Sequence, residues 1–422
     1  MGLGSTGSCG DIARNIVGCP LAGIGADELF DVHDLVQELS RFMVRDKTFS
    51  NMPRKYKISI SACPIHCAQP QINDCAFYGM QREKDGKVEN GFGVLVGGGL
   101  STKPYFGADL GVFVPVEMVR DVLVAISEIY RDAQELRQDR GRARLKFLVH
   151  DPKIGIGAEA FRARVEEKIG MRLPDAPPPS WPRHAESDHL GIAPQKQEGY
   201  WYVGIGVRAG RLTGDEVIQI ADLAEEFSDR KMIRNTNKQN FIITYIPEAK
   251  LETLKARLDE LELDYRPSVF KRSLISCTGI EFCNLAVTET KELGRRVSRE
   301  LEERFPLATR PIRIHFSGCP NNCGQNAIAD IGLRGMLTKV DGQLVHAFDI
   351  LVGGATGADK AFAEVCTKRF PADRIGWAIG NLYEDFVKWA DAGNGETFFD
   401  YVRAHSLQEL DAIARGVTAT IS

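Results

Sequence analysis

The chain lacks several features that would place it in a class at once. No apolar run approaches the roughly 18 residues of a membrane span, and Met1-Gly-Leu-Gly-Ser-Thr has neither the basic nor the apolar region of a signal peptide. The net charge of -4 offers no general case for binding nucleic acid or anionic membranes. We therefore expect no nucleic-acid partner, no membrane association and a reducing cytoplasm as the protein's home.

Ten cysteines are present, and four of them have spacing typical of metal ligands. Cys277 and Cys283 form a Cys-x5-Cys pair, and Cys319 and Cys323 form a Cys-x3-Cys pair. Four thiolates are the ligand set of a [4Fe-4S] cluster, whereas structural zinc usually has a tighter Cys-x2-Cys pair. The pattern predicts a [4Fe-4S] cluster; the alternative is four buried cysteines that only pack near one another.

An internal repeat organises the sequence. Residues 61–98 align without a gap to residues 317–354, with 16 identities in 38 positions. An ungapped match of this extent indicates that both halves descend from one unit. At 422 residues the chain should divide into two or three domains around this duplication.

The first copy does not keep the full set of thiols. Cys63 and Cys67 stand at the places of the second cysteine pair, and Cys9 aligns with Cys277. Asn15 falls where the fourth cysteine would be. We expect buried packing cysteines here, with a second cubane held by another ligand as the alternative.

Hydrophobic periodicity predicts the elements around the repeats. Helices are expected at 32–45 with Asp31 as cap, 115–136, 159–169, 213–227 with Thr213 as cap, and 249–262; strands are expected at 58–60, 200–208 and 240–246. The strand-helix pairs after residue 200 form a small α/β half-domain. The duplication implies a sister half-domain before residue 10, so we expect roughly 80 residues to be missing from the N-terminus.

Several motifs of the sequence together resemble those of a known protein family. The cysteine spacing, the repeat, Asp11-Ile-Ala-Arg-Asn-Ile-Val-Gly-Cys-Pro-Leu-Ala-Gly23, Pro53-Arg-Lys-Tyr-Lys57 and Pro194-Gln-Lys-Gln197 together resemble the sirohaem and [4Fe-4S] sulfite and nitrite reductases. The resemblance implies an α+β (mixed α/β) fold, internally duplicated, with two sirohaem-binding domains and one ferredoxin-like half-domain. The expected parts are a first repeat at 1–172, a Pro-rich linker at 173–189, the half-domain at 190–268 and a second repeat at 269–422.

The resemblance also implies the cofactor ligands. Sirohaem and the cluster would be coupled through Cys323, which would bind the cluster and bridge to the sirohaem iron. Arg54, Asn321, Lys196 and Gln197 match family positions that hold the macrocycle, whose many carboxylates need cations and hydrogen-bond donors. For Lys196 and Gln197 the alternative is a solvated loop.

A second group of residues is expected to act on the substrate. Arg14, Lys55 and Lys57 resemble the family's cations that bind the anion and relay protons. Alternate strand residues point the same way, so Lys55 and Lys57 should share a face, which without the resemblance would be a solvated face. In the family, Lys at the position of Lys57 tends to accompany sulfite, and Asn nitrite. We therefore predict reduction of sulfite to sulfide, with reduction of nitrite to ammonia as the alternative.

Electrons should come from a separate protein. Gly97-Gly-Gly99 and Gly353-Gly354 lack the G-x-G-x-x-G spacing of a dinucleotide loop and are interpreted as tight turns. By resemblance the donor is ferredoxin or another one-electron carrier docking on a basic patch, for which Lys271-Arg272 is a candidate or simply solvated surface. Two rivals remain, a non-catalytic Fe-S electron carrier and a cofactor-free fragment; the sequence leaves the oligomeric state undetermined.

Overall fold

The computed structural model describes residues 10–183 and 187–417. Within it the chain forms two compact units, one comprising Met1–Gly99 with Lys103–Ser187 and the other comprising Leu100–Thr102 with Asp188–Ser422. Among the described residues no helix is long and apolar enough to cross a membrane. Cys9 lies outside the described residues.

The first unit packs helices against one mixed sheet. Its helices are α1 His33–Arg45, α2 Val119–Asp132, α3 Leu145–His150 and α4 Gly157–Ile169, and its strands are β1 Ile58–Ser61, β2 Cys75–Lys84, β3 Lys87–Val96, β4 Ala108–Asp109 and β5 Val114–Pro115. The order is β1-β2-β3-β4, with β5 also paired to β3. β1 and β2 run parallel, and β2 and β3 form a long antiparallel hairpin. Tyr56, Phe77 and Phe92 lie in the core of this unit, fully buried.

The second unit begins with the half-domain. Strands β6 Gly191–Pro194, β7 Tyr200–Ile205, β8 Ile233–Asn235 and β9 Phe241–Pro247 form a sheet in the order β6-β7-β9-β8, with helices α5 Gly214–Phe227 and α6 Leu251–Glu260. Thr213 caps α5: its hydroxyl accepts the N–H of Glu216, and the Glu216 carboxylate accepts the N–H of Thr213. This reciprocal cap confirms the predicted start of the helix.

The rest of the second unit repeats the architecture of the first. Its elements are α7 Val269–Arg272, β10 Leu274–Ser276, α8 Lys291–Arg304, β11 Ile314–Ser317, β12 Ile331–Val340, β13 Gln343–Val352, β14 Glu364–Pro371, α9 Ile375–Asp391, α10 Phe398–Ala404 and α11 Leu407–Ala414. β10, β11 and β12 run parallel, and β13 and β14 follow in antiparallel order.

The repeat predicted from the sequence is visible in the backbone. The ranges of β11, β12 and β13 equal those of β1, β2 and β3 shifted by 256 residues, as in Ile58 and Ile314 (314 - 58 = 256). Each hairpin turns through Asp-Gly with positive φ at both residues, Asp85-Gly86 in one repeat and Asp341-Gly342 in the other. Two positive φ values are what a two-residue turn between twisted strands requires.

Several predicted elements end elsewhere than expected. The helix expected at 115–136 is α-helical only over α2 and has 3-10 turns at Val116–Met118 and Gln134–Arg137, because Ala133 is extended. α1 has Val32, not Asp31, as its N-cap, although the Asp31 carboxylate accepts the N–H of His33 at 2.8 Å. The strand predicted at 200–208 stops at Ile205, before a 3-10 turn whose residue Ala209 has φ 55°.

Candidate active site and cofactor-binding loops

Arg14 lies beside the segment that carries the two predicted lysines. Residues 13–17 run parallel to residues 56–59: the Arg14 N–H donates to the Tyr56 carbonyl at 2.9 Å, and the Val17 N–H to the Ile58 carbonyl at 3.0 Å. The Arg14 guanidinium donates to the Gly10 carbonyl at 2.9 Å. The first unit therefore brings together the backbone positions of all three residues that the sequence assigns to the substrate.

The two lysines flank a core residue. Tyr56 is fully buried and its ring lies 5.3 Å from that of Tyr130, whereas Lys55 is half-buried and Lys57 is exposed. Burial of Tyr56 fixes which face of the segment is the core face, and strand alternation gives its neighbours the other face. The roles of Arg14, Lys55 and Lys57 stay predictions.

A buried ion pair lies under this segment. Asp74 is completely buried and accepts two hydrogen bonds from the Arg144 guanidinium, at 2.9 and 2.7 Å. Its second oxygen also accepts the backbone N–H of Lys57 at 2.8 Å. Burial alone would lower the pKa of Arg144, but the charge and hydrogen bonds of Asp74 outweigh it and raise that pKa. Asp74 thus fixes the backbone at Lys57 while its charge is balanced by Arg144.

Lys146 adds a further cation nearby. It is 1% exposed, its ammonium donates to the Lys103 carbonyl, and it lies 5.3 Å from the centre of the Phe147 ring. Burial, followed by the positive charge of Arg144, lowers the pKa of Lys146 to about 7. Lys55 also contributes to this lowering. A lysine with such a pKa exchanges its proton near neutral pH.

Arg54 is anchored by a carboxylate. Its guanidinium donates to Asp11 at 2.9 Å, and Asp11 also accepts from Arg140 at 2.7 Å. Burial would raise the pKa of Asp11, but the two arginines outweigh it, so the pKa is lowered. A guanidinium carries five N–H donors, so this contact leaves capacity for a macrocycle carboxylate.

The predicted cluster ligands lie on loops at one edge of the second unit's sheet. Cys277 follows β10, and Cys319 and Cys323 follow β11, its parallel neighbour. The carboxyl ends of parallel strands meet at the same edge. The Cys277 N–H donates to the Phe316 carbonyl at 3.0 Å, which joins the two loops directly.

Backbone hydrogen bonds connect the remaining cysteine to this edge. The Cys283 N–H donates to the Gly279 carbonyl at 3.1 Å, and the Val287 N–H donates to the Gly318 carbonyl at 2.8 Å. The Gly318 N–H donates to the sulfur of Cys277 at 3.1 Å, a contact that stabilises a thiolate ligand. Four thiols on two joined loops fit the chemistry of a [4Fe-4S] cluster.

The four thiols differ in exposure. Cys319 is 7% exposed, Cys277 and Cys283 are half-buried, and Cys323 is exposed. Asn321, between Cys319 and Cys323, is half-buried. An exposed Cys323 suits the expectation that this sulfur reaches a second centre, while that ligation itself stays a prediction.

Lys196 and Gln197 lie in a turn of the half-domain between β6 and β7. The Tyr200 N–H donates to the Gln197 carbonyl at 3.1 Å, and the Gln195 side chain donates to Gln197 at 3.1 Å. Lys196 is exposed and Gln197 is half-buried. The turn is therefore ordered by its own hydrogen bonds, and a macrocycle role for these two residues remains a prediction.

Two other interpretations stay predictions. Lys271 pairs with Asp264 at 2.9 Å and Arg272 with Asp188 at 2.6 Å, so both cations have acidic partners within the second unit, and a docking role for them is untested. The glycine runs directly follow β3 and β13. Gly97 and Gly353 have φ of 75° and 77°, and a Cβ on Gly98 would lie 2.5 Å from the Asn73 carbonyl oxygen.

Sequence reasoning missed Arg144, Lys146 and Cys19. Cys19 forms a group with Cys63 and Cys67 in which all three sulfurs lie within 4.8 Å of one another. A usable signal was present, because Cys19-Pro20 repeats the Cys-Pro pairs at Cys63 and Cys319. No local pattern marks Arg144 or Lys146, since their partners are distant in the sequence.

Comparison with known families agrees with this architecture. Residues 9–173 and 269–394 match the model described as nitrite and sulphite reductase 4Fe-4S domain. Residues 193–261 match the model described as nitrite/sulfite reductase ferredoxin-like half domain. The two family models together match most of the chain.

Individual relatives resemble nearly the whole chain. An assimilatory ferredoxin-dependent nitrite reductase from Haloferax mediterranei is 39% identical over 96% of this chain and 70% of its own length. A ferredoxin sulfite reductase from Mycobacterium tuberculosis is 37% identical over 95% of this chain and 71% of its own length. The solved structure of Mycobacterium tuberculosis NirA protein superimposes with a TM-score of 0.87 at 36% identity, covering 96% of this chain and 72% of that chain.

These findings confirm the mixed α/β fold and the resemblance read from the sequence. The predicted cofactors, sirohaem and a [4Fe-4S] cluster, are those that the family implies. The chain belongs to the nitrite and sulphite reductase family of oxidoreductases.

Proposed function

We propose that this protein reduces sulfite to sulfide in a six-electron reaction. The observation that carries the proposal is the alignment of Arg14 with the Lys55–Lys57 segment through the Arg14 to Tyr56 hydrogen bond of 2.9 Å. Three cationic side chains on adjacent backbone segments make a receptor for a small oxyanion. The relatives named above are described as nitrite reductase and as sulfite reductase, so their names support both anions.

The cofactors supply the electrons, and the protein supplies charge and protons. When bound, sirohaem and the [4Fe-4S] cluster would supply the electron-transfer chemistry of the reduction, with Cys323 as the residue that would couple them. Cys277, Cys283, Cys319 and Cys323 would hold the cluster, and Arg54, Lys196, Gln197 and Asn321 would hold the macrocycle.

The lysine side chains of the first unit would deliver the protons. Each oxygen of the anion leaves as water, so protons must reach the site repeatedly. Lys55 and Lys57 would donate hydrogen bonds to those oxygens and relay protons to them. Lys146, with its pKa near 7, is suited to restore protons to this group at neutral pH.

The choice of sulfite over nitrite rests on Lys57. Sulfite carries up to two negative charges and nitrite one, so an additional ammonium stabilises sulfite more. The Asp74 carboxylate is already paired with Arg144 at 2.7 Å, so the scaffold does not require Lys57 as its counter-charge. An asparagine at position 57 would keep a hydrogen-bond donor and remove the charge.

The test is a comparison of the two anions with reduced methyl viologen as donor. For sulfite we expect kcat/KM to exceed that for nitrite, and Lys57→Asn to lower the sulfite value about 10- to 100-fold with a smaller effect on nitrite. Lys87→Asn, an exposed lysine at the hairpin of β2 and β3, is the matched control. Nitrite turnover far above that of sulfite and undiminished in Lys57→Asn would establish the alternative, nitrite reduction to ammonia.

The electron donor is proposed to be a ferredoxin or another one-electron carrier in the cytoplasm. The Haloferax mediterranei relative is described as ferredoxin-dependent and the Mycobacterium tuberculosis relative as a ferredoxin sulfite reductase, and the glycine runs of this sequence lack the spacing of a dinucleotide loop. Reduced ferredoxin should support sulfite turnover where NADPH alone does not. Turnover with NADPH and no carrier protein would refute this part of the proposal.

A further inference from the structure

The first unit contains a second sulfur group that the proposed chemistry does not use. Cys19, Cys63 and Cys67 come from two segments, one after Arg14 and one after β1, and their sulfurs all lie within 4.8 Å of one another. Cys63 is 6% exposed and Cys67 is 2% exposed. This spacing is that of ligands around one ion rather than around the separate corners of a cubane.

The backbone around these sulfurs is arranged as it is around thiolate ligands. The Leu21 N–H, two residues after Cys19, points to the sulfur of Cys19 at 3.4 Å. The backbone N–H groups of Ile65 and Cys67 lie close enough to the Cys63 sulfur to favour its thiolate form and lower its pKa. Three N–H groups directed at two sulfurs stabilise negative charge there, as in the outer shell of a metal site. Cysteines that only fill a core need no such donors.

A histidine adjoins the group. His66 is 7% exposed, and its Nδ1 has no hydrogen-bond partner among the described residues. Rings of Trp181 and Tyr78 pack against the His66 ring at 4.5 and 5.9 Å.

We propose that Cys19, Cys63 and Cys67 bind one zinc ion as thiolates, at a structural site separate from the four cysteines of the second unit. Zinc is favoured because thiolates grouped around a single centre are its usual structural ligands and no redox change is needed. Binding releases the protons of the thiols to solvent. The ion would join the segment that follows Arg14 to the segment that follows Lys57, which are otherwise connected here by backbone hydrogen bonds.

The test uses the full-length protein with its cofactors loaded. We expect about one zinc per chain by elemental analysis after washing with EDTA, and zinc-edge X-ray absorption with sulfur neighbours at about 2.3 Å. In Cys63→Ser/Cys67→Ser zinc should fall to below about a tenth of the wild-type content, while iron per chain stays unchanged. Cys366→Ser, a half-buried cysteine outside both groups, is the control and should keep its zinc.

Three results would overturn the site. The first is a wild-type protein without zinc whose triad carries a disulfide, detected as protection from alkylation in the denatured protein. The second is equal zinc in wild type and the double variant. The third is loss of iron together with the triad, which would indicate an iron cluster instead. The wild-type absorption measurement decides the question even if the double variant does not fold, and none of these results depends on which anion the enzyme reduces.

Discussion

The two repeats place an aspartate at the same position but pair it with different arginines. In the second repeat Asp330 accepts the backbone N–H of Arg313 at 2.8 Å and also pairs with the side chain of Arg313 at 2.6 Å. In the first repeat Asp74 accepts the corresponding N–H, that of Lys57, at 2.8 Å. Its charge partner is Arg144, from a distant part of the sequence. The buried aspartate is thus paired with an arginine 17 residues before it in the second repeat and with one 70 residues after it in the first.

This difference is consistent with the proposal that the two copies of the scaffold carry different sites. Once Arg144 neutralises Asp74, the side chain at position 57 is no longer needed to stabilise the buried carboxylate. That position can then serve a ligand, which is the role proposed for Lys57. In the second repeat Arg313 pairs with Asp330 at 2.6 Å, and the adjacent loops carry the four thiols proposed to bind the cluster. In this proposal the copies share a scaffold and each provides a different site.

The largest expected effect concerns the equivalent cysteines of the two repeats. Cys319→Ser should remove most cluster iron and lower sulfite turnover by at least about a hundredfold, because a cluster thiolate is lost. Cys63→Ser, at the corresponding place in the first repeat, should leave iron per chain unchanged. Iron analysis and the visible spectrum of both variants measure this. Equal loss of iron in the two variants would mean that the repeats are not divided as proposed.

The next effect tests the relocated ion pair. Asp74→Asn should lower the free energy of unfolding by about 3 to 5 kcal/mol, because it leaves the Arg144 charge buried without its partner. Asp330→Asn should lower the free energy of unfolding by less, since Arg313 is more exposed than Arg144 (side chains 19% and 9% exposed). Denaturant titration of both variants measures which loses more stability. The double variant Asp74→Asn/Arg144→Met, which also removes the unpaired charge, is measured alongside them. A double variant no more stable than Asp74→Asn would contradict the assigned cause.

A smaller effect distinguishes the first repeat by its buried lysine. The folded-state pKa of Lys146 is about 7, and an unfolded lysine titrates near 10.5. Between these values the unfolded chain binds more protons, so stability rises with pH over this interval. From pH 7 to pH 9 the wild type should gain about 2 kcal/mol more than Lys146→Met does. Denaturant titration at each pH measures the free energy of unfolding of both proteins. If that free energy changes equally with pH in the two, Lys146 is charged in the folded protein.

The comparison also shows what a single sequence can reveal. The repeat was predictable because identities such as Asp74 with Asp330 and Gly79 with Gly335 keep a constant spacing along the chain. Arg144 was not predictable, because its partner Asp74 is 70 residues away and no periodic pattern connects them. Cys19 was missed for a different reason: it shares the Cys-Pro pair of Cys63 and Cys319, but alignment of the repeats pointed to Cys9, while the fold brings Cys19 to Cys63 and Cys67.

The smallest expected effect tests what the duplication has preserved. Gly86 and Gly342 occupy the second position of the two hairpin turns, with φ of 73° and 81°, and a Cβ on either would meet nothing within 4 Å. Alanine at these positions therefore adds backbone strain without a steric clash, at a cost of about 1 kcal/mol in each case. Gly86→Ala and Gly342→Ala should lower the free energy of unfolding equally, within about 0.5 kcal/mol. Denaturant titration of each single variant measures the two costs. A clear inequality would show that the two turns have diverged, and equality would show that they have kept the same conformational requirement.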